Sequence, residues 1–246
     1  MRAMPAPITL SDASVAAYRE RGFVSLGRVV DDAELAALRA EEERFRLRIA
    51  YGGPRNQTLL VNVQLCARSE PVRRFCTGGA HLPAVVRLLG PNVCFTHQQF
   101  VTKLPDRGEQ RSDIPLHQDD GYGRLEPALD CTVWVALVDT DESNGCLWIV
   151  PGSHALGLLE HERAELNPVL HEVRHGEPAI PVPLAAGEAV AFHGLTLHGS
   201  GPNRSDAPRP SLFVRYCDPC VTMMSEGGRP VLEDPHSWMV AGESPT

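Results

Sequence analysis

Residues 92–104 read NVCFTHQQFVTKL. Aromatic and β-branched side chains recur through the run and no glycine or proline interrupts it, which is the texture of a strand. His97 alternates with the apolar core positions there and is placed to line a pocket. Runs of the same kind lie on either side: TLLVNVQL (58–65), CTVWVALVDT (131–140), LWIVPG (147–152), AVAFHG (189–194) and SLFVRYC (211–217), punctuated by Gly, Pro, Asn and Asp. Twenty-one glycines and twenty-one prolines without periodicity fit many short strands joined by turns. Upstream the pattern changes. Ser11 or Asp12 can cap a helix through Arg21, FVSLGRVV reads as a strand, and Asp31 or Asp32 with Glu34 opens a second helix with Leu35, Leu38 and Phe45 on one face. The expectation is a mainly β chain with a helical lead-in over about residues 10–50, a β core over about 59–220, and a polar tail or flap at 221–246.

With 246 residues, 43% of them hydrophobic, one core can be buried, and residues 1–246 are expected to form a single domain. The net charge of −8 argues against a phosphate-tracking nucleic-acid binder. No basic start is followed by a short apolar run, and nowhere do about 18 apolar residues follow one another, so neither export nor a membrane is expected. Seven cysteines, an odd number, fit free thiols in a reducing, cytoplasmic setting. Cys217 and Cys220 form a CxxC, but with no second pair to complete a zinc site it reads as a strand-end turn.

The chemistry concentrates in PLHQDD (115–120). On a strand His117 and Asp119 would point to the same face. His198, 79 residues after Asp119, follows another apolar run. Two imidazoles and one carboxylate on one triangular face hold Fe(II) and leave three positions for an oxo acid and O₂. Ser200 falls on the face of His198. Arg209, eleven residues on, is suited to clamp the distal carboxylate of 2-oxoglutarate through two parallel hydrogen bonds. Period-two counting puts Arg215 on the same inward face. Asp120, Tyr122 and Arg124 follow the metal pair and, with His97 and Arg215, are candidate substrate contacts. His193 faces away from His198 and reads as structural, His154 as a turn residue, and His161, His171 and His175 as solvated.

Three blocks, QFVTKLPDRGEQRSDIPLHQD (99–119), NGCLWIVPGSH (144–154) and LHGSGPNRSDAPR (197–209), together resemble the hallmarks of the phytanoyl-CoA dioxygenase family, over roughly residues 10–220. The resemblance implies a double-stranded β-helix, the jelly-roll or cupin-like core, with iron(II), 2-oxoglutarate and O₂ at its mouth and ascorbate as reductant in vitro. By position it adds Gln99, Trp134 and Lys103 to the cosubstrate neighbourhood. It implies hydroxylation, or epimerisation or cyclisation, of a small metabolite or natural-product intermediate with release of succinate and CO₂. Asp119 occupies the place a halide would need, which disfavours halogenation. The small-molecule substrate is expected as the partner of a monomer or homodimer. The alternative is a cupin-like metal-binding protein without oxygenase chemistry.

Overall fold

The computed structural model describes residues 6–46, 58–107, 111–164, 170–224 and 238–243. The Ser11 hydroxyl accepts from the Ser14 amide at 3.1 Å and caps α1 (Asp12–Arg21). Gly22, at φ 81°, ends that helix in the left-handed conformation. After β1 (Phe23–Arg28), the Asp31 carboxylate takes the Glu34 amide at 2.7 Å and opens α2 (Asp32–Arg46). Residues 47–50 of the expected helical lead-in lie outside the described residues.

β2 (Leu59–Val63) leads to two helices that the β texture of the region conceals, α3 (Glu70–Gly78) and α4 (Leu82–Leu89). Their signals are local: Ser69 caps the Val72 amide at 3.3 Å, and Pro71 and Pro83 sit in the first turns, where a missing N–H costs nothing. Then follow β3 (Val93–Lys103), β4 (Ile114–His117), β5 (Arg124–Glu126), β6 (Asp130–Ala136), β7 (Leu147–Ile149), β8 (Glu162–Arg163), β9 (His171–Glu172), β10 (Ile180–Val182), β11 (Glu188–His193), β12 (His198–Ser200), β13 (Arg209–Cys217), β14 (Thr222–Met224) and β15 (Met239–Ala241).

A seven-stranded sheet runs β1-β11-β6-β13-β3-β15, with β2 also on β3, and a four-stranded sheet runs β10-β7-β12-β4. The strand pairs are antiparallel, and the architecture is the expected double-stranded β-helix. Alternation along β6 and β13 sorts the side chains. Cys131, Val133, Val135, Leu212, Val214 and Tyr216 turn outwards into a core shared with the helices through Val15, Leu38, Phe75 and Val85. Each large apolar side chain buried there contributes about 1.5–3 kcal/mol. Phe23, Trp134, Val190 and Phe192 turn inwards to meet Leu147 and Ile149 of the small sheet. The described parts of the expected tail are strand-paired, β14 with β5 and β15 with β3. Cys217 is buried and Cys220 exposed, both as free thiols.

Candidate active site

β12 lies between β7 and β4, and its register sets His198 directly opposite His117. The two rings are 4.3 Å apart. Asp119 departs from the same-strand placement expected of it. β4 ends at His117, and Asp119 opens a short 3-10 turn through Gly121. The turn still delivers the carboxylate to the imidazoles, since one ligand atom from each of the three residues lies within 4.8 Å of the others.

The surroundings fix which atoms converge. His117 Nδ1 donates to the Pro115 carbonyl at 2.8 Å and His198 Nδ1 to the Thr196 carbonyl at 2.9 Å, leaving each Nε2 lone pair free. Asp119 Oδ2 accepts from the Thr132 hydroxyl at 2.7 Å, and Oδ1 stands 3.6 Å from His198 Nε2. Burial pulls the His117 pKa down to about 3, with the His198 imidazole adding to it, and the His198 pKa down to about 4. Burial likewise raises that of Asp119. Two neutral imidazoles and a buried carboxylate whose desolvation the nearby Arg215 does not fully offset are a donor set that a divalent cation satisfies.

Gln118, between the two ligands, faces the other way and pins the turn. Its amide nitrogen donates to the Gly157 and Leu195 carbonyls at 2.8 and 2.7 Å, and its amide oxygen accepts from the Leu159 N–H at 2.8 Å. Its backbone N–H donates to His161 Nε2 at 3.0 Å. His161 is therefore not the solvated residue expected from the sequence but a prop beneath the metal turn. Thr132 and Gln118 are the contributors that sequence reasoning missed. Only the alternation of HQD hints at Gln118, and nothing local marks Thr132. His154 lies in a turn as expected, with Nε2 3.1 Å from the Arg19 carbonyl.

The triad opens onto a cavity of about 510 Å³ also lined by Gln99, Trp134, Ser200, Arg209, His97, Tyr122 and Arg215. Arg209 is 1% exposed, sits 5.5 Å over the Trp134 ring and donates to the Ser211 hydroxyl at 2.8 Å, while its Nε has no partner. Among the described residues no carboxylate pairs with it, and burial lowers its pKa to about 9. An unpaired guanidinium in a closed wall is costly unless an anion joins it. A dicarboxylate such as 2-oxoglutarate fits that need.

Arg215 is different. Its Nε donates to Asp130 at 2.7 Å and its Nη2 to Asp120. Asp120 is 3% exposed, spent on this pair and absent from the cavity wall, which corrects its expected role as a substrate contact. Arg124 is also outside the cavity, exposed and paired with Glu126. Lys103 does not reach the cosubstrate space. Its Nζ donates to the Ser200 and Gly201 carbonyls at 3.1 and 2.5 Å, bracing the strand that carries His198. Burial, then the nearby Arg209, holds its pKa well below the usual lysine range.

The model of the phytanoyl-CoA dioxygenase family matches residues 18–211. The peroxisomal phytanoyl-CoA dioxygenase of Rattus norvegicus is 29% identical over 226 residues, a match that takes in 81% of this chain and 66% of that enzyme. The chain thus spans about two thirds of that relative's length. A probable phytanoyl-CoA dioxygenase of Caenorhabditis elegans is 29% identical over 236 residues, covering 82% of this chain and 73% of that one. Among solved structures, the non-haem α-ketoglutarate-dependent carbocyclase SnoK from nogalamycin biosynthesis superposes with a TM-score of 0.78 at 25% identity, covering 98% of this chain and 100% of that one. The epimerase SnoN, solved with Fe³⁺, α-ketoglutarate and nogalamycin RO, has a TM-score of 0.75 at 24% identity, over 91% and 96% of the two chains. A jelly roll whose small sheet and the 3-10 turn that follows β4 bring together two histidines and an aspartate, and whose matched segment runs from α1 into β13, makes this chain a member of the phytanoyl-CoA dioxygenase family.

Proposed function

We propose that this chain is an iron(II)- and 2-oxoglutarate-dependent oxygenase that hydroxylates, or otherwise oxidatively tailors, a small metabolite or natural-product intermediate. The observation that carries the proposal is that a buried, unpaired Arg209 and the His117–Asp119–His198 cluster open into the same cavity. Nε2 of His117 and His198 and a carboxylate oxygen of Asp119 would hold the iron. Thr132 fixes the rotation of that carboxylate, and the Pro115 and Thr196 carbonyls fix the imidazoles. Arg209 and Ser200 would bind the distal carboxylate of the oxo acid, with Trp134 as one wall. Phe192, 4.5 Å from the His198 ring, shields that ligand from water.

When bound, the iron and the oxo acid supply activation of O₂, with release of succinate and CO₂ and transfer of oxidising power to the substrate. The protein's part is to orient the reactants and exclude water. Similarity to a carbocyclase and an epimerase favours oxidative tailoring of a natural-product intermediate. Residues 1–246 are read as one cytoplasmic domain, monomeric or homodimeric, with a small-molecule substrate. The free thiols of the seven cysteines support the reducing setting, and no helix among the described residues is long and apolar enough to cross a membrane.

The test is succinate formation from 2-oxoglutarate by protein reconstituted with Fe(II) and ascorbate under air. Slow substrate-free turnover is expected, lost in Asp119→Ala. A protein that binds iron yet never consumes the oxo acid would instead be the cupin-like metal binder.

A further inference from the structure

Six residues along β13 from Arg209, beside Arg215, the cavity wall is built by devices that the metal and cosubstrate do not require. β3 carries a bulge against β13. His97 is the partner of Arg215 and Phe95 of Tyr216, so Thr96 has no partner of its own. The consecutive residues Thr96 and His97 in consequence both line the cavity, which regular alternation forbids. Beside them is Gln64, at φ 53° and ψ 46°, the one non-glycine residue with left-handed backbone among the described residues. Every residue with a Cβ is penalised there, and such strain concentrates at ligand sites.

The two devices meet. Gln64 Nε2 is 3.4 Å from His97 Nδ1 and 3.4 Å from the Thr96 carbonyl, and His97 Nε2 is 3.5 Å from Gln99 Oε1. These contacts are at the outer limit of hydrogen bonding, so the groups keep most of their capacity for a better-placed partner. The charged side chains lining the cavity, among the described residues, are Asp119, Arg209 and Arg215. The first belongs to the metal cluster, the second suits the cosubstrate, and the third is held by Asp120 and Asp130. What remains for a second molecule is an uncharged polar edge flanked by the apolar Val61, Phe213 and Met223.

We propose that Gln64 and His97 are the recognition edge for the prime substrate, and that this substrate is an uncharged, largely apolar compound carrying hydroxyl or carbonyl groups along one side. The assignment rests on the oxygenase reading above and deepens it. Gln99, with Oε1 3.5 Å from His97 Nε2, adjoins the edge on the wall of the same cavity.

The test uses the full chain with Mn(II) in place of iron and 2-oxoglutarate bound, titrated by calorimetry with three sets of probes. A hydroxyanthraquinone, a flavonol and an aryl hexoside are each compared with a carboxylated and a deoxygenated counterpart. At least one neutral oxygenated probe is expected to bind tenfold or more tighter than both of its counterparts. In Gln64→Gly that preference falls at least tenfold, 2-oxoglutarate affinity is unchanged, and the melting temperature of the metal-free protein holds or rises because the left-handed strain is relieved. Carboxylated probes binding as well as neutral ones, or no neutral probe being preferred, overturns the substrate class. A Gln64→Gly protein that melts lower and keeps its probe preference overturns the recognition role and makes Gln64 structural. Wild-type protein that shows the preference yet forms no succinate with iron leaves the recognition edge standing and removes the oxygenase reading.

Discussion

His117 and His198 are direct cross-strand partners on β4 and β12, with ring centroids 4.3 Å apart, although they lie 81 positions apart in the chain. Their convergence exists only once the small sheet is assembled, so an ion bound there binds the folded state and not the unfolded one. Mass action then stabilises the fold by about 2.7 kcal/mol at a hundredfold excess of ion over its Kd. For a chain of this size that raises Tm by roughly 5–10 °C. Thermal unfolding with and without Mn(II) or Fe(II) measures it. Asp119→Ala should abolish the metal-induced shift while the metal-free protein still unfolds cooperatively. A shift that survives this substitution places the metal elsewhere.

Arg209 should control 2-oxoglutarate and little else. Truncating one partner of a buried charge-assisted pair costs about 2–5 kcal/mol, so Arg209→Ala should raise the 2-oxoglutarate KM by roughly 30-fold or more. Since no carboxylate among the described residues pairs with the guanidinium, the same substitution should not destabilise the metal-free fold through a lost ion pair. Cosubstrate kinetics beside urea unfolding separate the two effects. An unaltered KM would refute the role.

Thr132 touches no reactant but donates at 2.7 Å to the Asp119 oxygen turned away from His198. Removing such an orienting hydrogen bond costs about 10–100-fold in metal affinity. Thr132→Val keeps the shape and deletes the donor, so weaker iron binding with an intact melting transition is the expected outcome. Competition with a calibrated chelator reads it directly, and a Kd within twofold of wild type would show that the carboxylate needs no such support.

The strands and the three converging ligands were legible because period-two alternation and residue type are local properties. Roles that depend on partners brought from remote strands were not. Arg209 and Arg215 look equivalent on one inward face of the same strand, yet Asp120 and Asp130 converge on Arg215 and leave Arg209 unpaired. Lys103 reads as a site residue by the family resemblance and Arg124 by proximity in sequence, whereas the Ser200 and Gly201 carbonyls capture one and Glu126 the other. α3 and α4 escaped because the strand texture after Leu59 masked the cap at Ser69 and the two first-turn prolines. Gln64 carries no sequence mark, because a left-handed glutamine is imposed by the turn between β2 and the residues that follow.

Acid sensitivity should report on His81, far from the metal ligands in sequence and fully buried beneath β13. The Tyr216 hydroxyl gives its proton to the Cys76 carbonyl at 2.9 Å, so at 2.6 Å His81 Nε2 must donate to the tyrosine oxygen. Nδ1 is left without a proton or a partner, and the ring stacks 4.4 Å from Phe75. Burial pulls its pKa from 6.5 to about 3. Unfolded chains therefore bind a proton at this histidine between pH 6.5 and 3 that the folded protein refuses. Stability from this residue is complete above pH 6.5 and declines as the pH falls, by about 1.4 kcal/mol per unit across the window. His81→Gln should lower stability at pH 7, where a hydrogen bond and a ring stack are disturbed. It should also flatten the dependence between pH 6 and 4 by about that slope. Urea midpoints of the metal-free protein at four pH values decide the matter, and parallel curves for variant and wild type would show that His81 is protonated in the folded state.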